Sequence, residues 1–349
     1  MPRSLSCSYL RTHVAVASAL RSYKAADGYY SEAFNKFLSY IPIIAERFEN
    51  LYAGTLYPDK GFIKGQPIAG QPYNPQIGMV SQTSGDVLIP AFIAAYSGYN
   101  PRKITLRHFP GLGAMRPNWR VTYDGLLQIG NIKKYFKAFT ITHAYQCTYS
   151  VGNYSSYLNW VDAGNGMGFI NNGESMNPLP SSPYNISSVA ITERFAPLLG
   201  VNLTLYNDMT FNAEYRDSRT LNLNSSAGQI VETTSRQFTI GAGWKIAEFN
   251  KFIKLGGKQT GISNDLSLNL DLSLSNNQAL IRKIETAYTQ STVGTQTLSI
   301  NFMASYQLSK RITLSAFFDH QVNRPLVSNS SFPTSNSNYG IAINMSLAR

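Results

Sequence analysis

From Asn118 onward, apolar and polar residues alternate with a period of two, the spacing of a strand with one apolar and one polar face. Trp119, Val121 and Tyr123 alternate with Arg120, Thr122 and Asp124. Phe139, Ile141, His143, Tyr145, Cys147 and Tyr149 share the next face, and Val201, Leu203 and Leu205 the one after. A tight Asn207-Asp208 turn leads to Met209, Phe211, Ala213 and Tyr215, and Phe238, Ile240, Ala242, Trp244 and Ile246 follow. The cleanest run sets Leu266, Leu268, Leu270, Leu272 and Leu274 against Ser267, Asn269, Asp271 and Ser273. On a helix these leucines would scatter around the cylinder; on a strand they make one apolar face. Leu298, Ile300, Phe302, Ala304, Tyr306 and Leu308 repeat the pattern, with Ser299 and Asn301 between them. A Lys310-Arg311 turn leads to Ile312, Leu314, Ala316 and Phe318, and the last run is Tyr339, Ile341, Ile343, Met345 and Leu347.

This pattern predicts an all-β region, 101–349, of about nine strands, several longer than the roughly 5–6 residues usual in globular proteins. Short turns at Asn207-Asp208 and Ser309-Lys310-Arg311 are expected to alternate with long loops at Gly164–Pro183 and Pro325–Ser337. Long tilted strands joined in that way suit an antiparallel outer-membrane β-barrel. The apolar set Leu266, Leu268, Leu270, Leu272, Leu274, Leu298, Ile300 and Phe302 is then expected to face lipid. Ser267, Asn269, Asp271, Ser273, Ser299 and Asn301 are expected to face the lumen. A soluble secreted sandwich or solenoid can also alternate, but long uncharged strands are unusual there.

Residues 1–100 read differently, as a loop-rich region with short helices that forms an insertion or cap. Phe34, Phe37, Leu38, Ile41, Ile44, Ala45 and Phe48 recur at three and four within Ser31–Leu51, a helical period. Pro42 is expected to end or kink that helix. Leu56–Ser84, rich in Gly, Pro, Tyr and Gln, reads as loop. Asp86–Ser97 reads as a second short helix with Asp86 as N-cap and Pro90 in its first turn.

Composition sharpens the membrane reading. Hydrophobic residues make up 43% of the 349-residue chain, but charged residues only 14%, against about 25% in soluble domains. Ser, Thr, Asn and Gln carry the polarity, alongside 22 Tyr, 18 Phe and 3 Trp. An uncharged polar face and many aromatics suit a wet interior and aromatic girdles. The net charge of +11 is spread along the chain, whereas nucleic-acid binding needs a clustered basic face; no nucleic-acid partner is expected. Residues 1–22 hold Arg3, Arg11 and Arg21 between short apolar stretches, unlike a secretory signal. The best apolar run, Val87–Tyr96, is too short to cross a bilayer as a helix. A barrel protein without its own signal is expected to be a fragment, with Met1 an internal or gene-fragment start.

Candidate chemistry is sparse. Cys7 and Cys147 form no metal motif and no disulfide framework, and a bridge between them is not expected. His13, His108, His143 and His320 show no metal-ligand spacing, so no metal or cofactor is expected. Gly164, Gly166 and Gly168, and likewise Gly256-Gly257-Lys258, read as loops and not phosphate cradles. No nucleophile elbow is present and no enzymatic activity is expected, although some outer-membrane barrels are hydrolases. Glu193-Arg194 and Glu214, Arg216, Asp217 and Arg219 read as rim or lumen salt bridges.

Several stretches resemble a known family. Ser84-Gly85-Asp86-Val87-Leu88-Ile89-Pro90-Ala91-Phe92-Ile93-Ala94-Ala95-Tyr96-Ser97-Gly98 is the most specific. Pro117-Asn118-Trp119-Arg120-Val121-Thr122-Tyr123-Asp124-Gly125-Leu126 and Phe195-Ala196-Pro197-Leu198-Leu199-Gly200-Val201-Asn202 come next. Asn264-Asp265-Leu266, Ile281-Arg282-Lys283-Ile284 and Pro333-Thr334-Ser335-Asn336-Ser337-Asn338-Tyr339-Gly340 complete the ordered set. Together, from about Phe34 onward, they resemble the C-terminal end of the SprA/Sov cell-surface proteins of Bacteroidota. Gly85 departs from the family, which has a larger polar residue there, and Leu347-Ala348-Arg349 lacks a terminal aromatic.

The resemblance implies the outer-membrane translocon of the type 9 secretion system, which supports gliding motility in some members. It implies as partners a periplasmic plug protein, a shuttle protein at a lateral opening, and secreted clients with C-terminal sorting domains. The largest single-chain barrels have 36 strands, of which about nine would be roughly a quarter. The rest of the same barrel and outer-membrane lipid are then further partners. A surface adhesin without a pore is the alternative from another class.

Overall fold

The computed structural model describes residues 4–5, 29–109, 118–128, 130–164, 166–171, 173, 176–247, 249, 265–308, 312–327 and 332–345. In chain order the strands are β1 (Ser4–Leu5), β2 (Trp119–Tyr123), β3 (Phe136–Val151), β4 (Tyr154–Ser156), β5 (Val161–Gly164), β6 (Met167–Asn171), β7 (Pro178–Ser181) and β8 (Tyr184–Ile186). They continue with β9 (Ser188–Leu205), β10 (Met209–Asn224), β11 (Gln229–Ile246), β12 (Leu266–Lys283), β13 (Thr289–Gln307), β14 (Ile312–Pro325) and β15 (Thr334–Met345). The helices are α1 (Glu32–Leu51) and α2 (Gly85–Ser97).

The protein is mostly antiparallel β. One ten-stranded sheet runs in the order β1-β3-β9-β10-β11-β12-β13-β14-β15, with β2 also paired to β3. From β9 onward each strand pairs with its neighbours in sequence, a meander of hairpins. Among the described residues the sheet stays open and does not close on itself. Every alternating run from Trp119 onward lies in this sheet, but the strands outgrow the pattern. β12 has 18 residues and β13 has 19, about twice the 9–11 that a tilted strand needs to cross a bilayer.

Register carries the leucine face across the sheet. Leu266, Leu268, Leu270, Leu272 and Leu274 stand opposite Tyr306, Ala304, Phe302, Ile300 and Leu298 on β13. On β11 they stand opposite Ile246, Trp244, Ala242, Ile240 and Phe238. Leu314, Ala316, Phe318 and Val322 extend the face on β14, and Ile343, Ile341 and Tyr339 on β15.

α1 starts where Ser31 Oγ accepts from Phe34 N at 3.3 Å, satisfying one orphan donor of the first turn. It buries Phe34, Phe37, Ile41, Ile44, Ala45 and Phe48. Pro42 does not end the helix: α1 runs through it for 20 residues. Ile41 and Ile44 on either side are anchored in the core, and that packing outweighs the hydrogen bond that proline forgoes. α2 starts one residue earlier than expected. Ser84 is its N-cap, and Asp86 lies inside the first turn. Every residue from Asp86 to Tyr96 is buried, because α2 packs into one core with α1 and the sheet. Fully burying each large apolar side chain contributes roughly 1.5–3 kcal/mol. Gly85 has no room for a larger residue: an added Cβ would sit 2.8 Å from Ile186 O.

The Gly164–Pro183 stretch is not a plain loop. β5, β6 and β7 form a small three-stranded sheet there. Phe169 of β6 packs among Tyr52, Tyr57 and Tyr73, with ring centroids at 5.4, 5.0 and 6.0 Å. Gly168 lies in β6 because the Trp160 ring passes so close that a Cβ would meet it at 2.3 Å; its glycine marks a close approach, not a loop. Gly256-Gly257-Lys258 and the Ser309-Lys310-Arg311 turn lie outside the described residues.

The connections do not sort cleanly into short and long ends. Residues 206–208 and 308–311 are short at one end, but the long 247–265 connection shares that end. At the other end 152–187 is long, while 225–228 and 284–288 are short. Cys147 is disulfide-bonded, contrary to expectation.

Candidate functional site

The candidate site is the long sheet itself, read row by row along one face. β10 and β11 pair residue for residue, without a register shift. Along β11, therefore, Trp244, Ala242, Ile240, Phe238, Arg236, Thr234, Glu232 and Ile230 all point the same way. The near part of this face is an exposed apolar band. Leu272 is 38% exposed and Ile341 75%. From Leu266 to Leu274 the band measures about 26 Å along the strand.

One row beyond Tyr215, Phe238, Leu274, Leu298 and Val322, the chemistry changes. Asp217, Arg236, Asn276, Gln296 and Arg324 stand side by side on β10 to β14. The row continues through Phe195, Tyr145 and Trp119 on β9, β3 and β2. The Trp119 and Tyr145 rings stack at 4.6 Å, and Trp119 is exposed. Asp217 and Arg236 approach to 3.8 Å.

Farther along the same face the sheet is covered. Val189, Ile191, Leu221, Leu223 and Ile230 join the core formed by α1 and α2. Glu232 is buried here between two guanidinium groups. Arg219 Nε lies 2.9 Å from Glu232 Oε1, and Arg282 donates to Oε2 through Nε at 2.9 Å. Arg282 also donates to Tyr29 O at 2.8 Å and Thr289 Oγ1 at 3.0 Å. The Tyr96 ring lies 5.5 Å from the Arg219 guanidinium and the Phe34 ring 5.7 Å from that of Arg282. Glu193, also buried, accepts from Tyr145 OH at 2.9 Å.

A second polar group fastens α2. His108 Nε2 lies 2.8 Å from Asp86 Oδ1. Asp86 Oδ2 accepts from Ser182 N at 3.1 Å and Ser181 Oγ at 3.2 Å. Burial works to raise the Asp86 carboxyl, but His108 and the Ser182 donors outweigh it and hold it below the usual aspartate value. Serine, aspartate and histidine meet here, yet the aspartate is central and the serine hydroxyl donates to it. In a Ser-His-Asp triad the histidine stands between serine and aspartate; here the aspartate stands between them and ties together the elements that carry His108, Ser181 and Ser182.

The opposite face is polar. Ser267, Asn269, Asp271 and Ser273 stand opposite Ser305, Met303, Asn301 and Ser299. Gly241 lies between Asn212 and Asp271 in register, and the side chains of both lean over it: a Cβ there would meet Asp271 Oδ1 at 2.5 Å. The sequence-predicted apolar and polar sets thus occupy two different faces of β12 and β13. The mixed charges split likewise. Glu214 and Arg216 pair on the polar face at 2.8 Å, while Asp217, Arg219 and Glu193 belong to the face that carries the band and the helices. His143 and His320 lie in β3 and β14, with Nδ1 at 2.7 Å from Leu198 O and from Ser337 Oγ. Among the described residues no His, Cys, Asp and Glu group has the makings of a metal site.

Sequence reasoning missed the Glu232–Arg282 and Asp86–His108 groups. The available signal was a charge at an apolar-parity position: Glu232 follows Ile230 by two, and Arg282 follows Leu280 by two. No helix of the described chain is long and apolar enough to cross a membrane, which says nothing of crossing by strands. No protein-family model matches the chain, and no curated protein matches it either.

Proposed function

We propose that this chain is part of the wall of a bacterial outer-membrane channel that exports proteins, of the kind used in type 9 secretion. The observation that carries the reading is the exposed apolar band of β10 to β15, backed by a polar, largely uncharged face on the same strands. In water such a band would be an aggregation surface; against lipid it is an insulating wall. An open sheet leaves two edges, and a bilayer does not tolerate unpaired strand edges. Further strands of the same barrel therefore complete the wall. The disulfide at Cys147 supports an oxidising compartment.

In this reading the wall provides a wet path and needs no covalent chemistry. The specifically type 9 assignment rests on the ordered resemblance to the SprA/Sov proteins. From it come the clients with C-terminal sorting domains, the periplasmic plug protein, the shuttle protein at a lateral opening and the link to gliding motility.

Depletion of the full-length protein in its host tests the export role. Clients with C-terminal sorting domains should accumulate in the periplasm; undiminished surface display would overturn it. Heat-modifiable migration and detergent-dependent extraction should accompany a barrel. Extraction without detergent would instead favour a surface adhesin.

A further inference from the structure

We infer that the helical layer of α1 and α2 lies outside the pore, against the lipid-side surface of the wall beyond the bilayer core, and that the polar row beneath it receives phosphate-bearing lipid headgroups. The inference rests on the proposed function for one point only, that the apolar band meets lipid.

The argument is one of parity. In a strand, residues two apart share a face. Phe238 and Glu232 lie on one face of β11, as do Leu274, Leu280 and Arg282 on β12, and the pairing between these strands has no register shift. The exposed band and the base of the helical layer are therefore on the same side of the sheet. If that side meets lipid, α1 and α2 cannot plug the lumen. Gln146, Asn222 and Thr233 on the opposite side, at the same height as the helices, are exposed.

Spacing then sets the depth. The helical cover begins at the row of Arg219 and Thr234, where the Tyr96 ring lies over Arg219, about 13 Å of strand beyond Phe238. An interfacial layer takes about 5–8 Å per leaflet beyond the hydrocarbon core, so it fits in the gap. The residues in the gap suit that layer. Asn276 and Arg324 are exposed, and Arg236 and Gln296 are half-exposed. Guanidinium forks match phosphate oxygens, and amides add donors. Exposed Trp119 at the end of the row is the residue type that settles at an interface.

The test uses full-length protein in vesicles of phosphatidylethanolamine and phosphatidylglycerol, with single spin labels at Leu272→Cys, Asn276→Cys and Asn277→Cys. Nickel chelated on lipid headgroups should relax the label at 276 strongly and the label at 277, on the opposite face, weakly. Dissolved oxygen, which partitions into lipid, should relax the label at 272. A label at 272 that responds to water-soluble nickel would overturn the lipid-facing reading itself. A lipid-exposed 272 with no headgroup response at 276 would overturn this inference alone. The combined Arg236→Gln/Arg324→Gln variant should retain severalfold less phosphatidylglycerol through purification, and free inorganic phosphate should not compete. Unchanged retention, or competition by free phosphate, would overturn the headgroup assignment.

Discussion

Arg282 and Glu232 meet beneath the helices, where β12 runs beside β11, with both side chains nearly sealed from solvent. The guanidinium reaches Glu232 through Nε and Nη2, at 2.9 and 2.8 Å. Arg219 also serves Glu232, so removing Arg282 alone leaves the carboxylate paired, whereas removing Glu232 strands the buried Arg282 guanidinium, at a cost of about 3–5 kcal/mol. Glu232→Leu should therefore destabilise strongly, and adding Arg282→Met should recover part of the loss. Denaturant titration of the folded protein in detergent, followed by gel migration, reads both. Equal loss in the single and double variants would refute a stranded charge.

Leu270 and Asn269 are neighbours on β12 with opposite faces. Leu270→Arg should cost about 2–4 kcal/mol if that row sits near the midplane of a bilayer. Asn269→Arg should be mild. A membrane-assembly assay that tolerates both equally would sink the lipid-facing assignment of the leucine set.

Asp86 makes the helical layer acid-sensitive. Its carboxyl is held below the ordinary value, so its contribution is complete above the unfolded aspartate value of about 3.9. It is lost as pH falls through the lower folded value. Protease resistance of residues 29–109 should hold from neutral pH to about 4 and fall below that. Asp86→Asn should lower resistance at neutral pH and flatten this acid limb. An unchanged acid limb in that variant would assign the transition to another group.

The turn between β9 and β10 depends on Asp208, whose φ is 59°, with Asn207 Oδ1 accepting from Met209 N at 3.3 Å. Asp208→Val should cost about 1–3 kcal/mol, because β-branched residues resist this conformation. Asp208→Gly should be tolerated. Chemical denaturation midpoints distinguish the two, and equal midpoints would show that the turn does not depend on the backbone conformation at Asp208.

Much of the sheet was legible because alternation is written directly in Leu266 to Leu274 and in its neighbours. The far halves of β10, β11 and β12 were harder to read. There Arg219, Glu232 and Arg282 occupy apolar-parity positions, and a charge in that place is sensible only once a helix covers it. The helices were legible as helices, from Phe34 to Phe48 and from Val87 to Tyr96, but their destination was not. Nothing local to Tyr96 says that it will lie over Arg219. Asp86 reads as a cap from its neighbours alone, and its partners His108 and Ser182 lie far along the chain. That Pro42 does not end α1 was hidden for the same reason, since the packing that holds the helix together there comes from other elements.

The Arg282 bond to Tyr29 O joins residues 253 positions apart, whereas the hairpins from β9 onward join near neighbours. Closing a long chain segment is slow and unrewarded until its final contact forms. The strands can thus grow hairpin by hairpin, while α1, made before them, waits for β12 before its seat is complete. The covering of the wall is a late event in the life of the chain, and a helper that shields the apolar face of α1 until then would have a defined window in which to act.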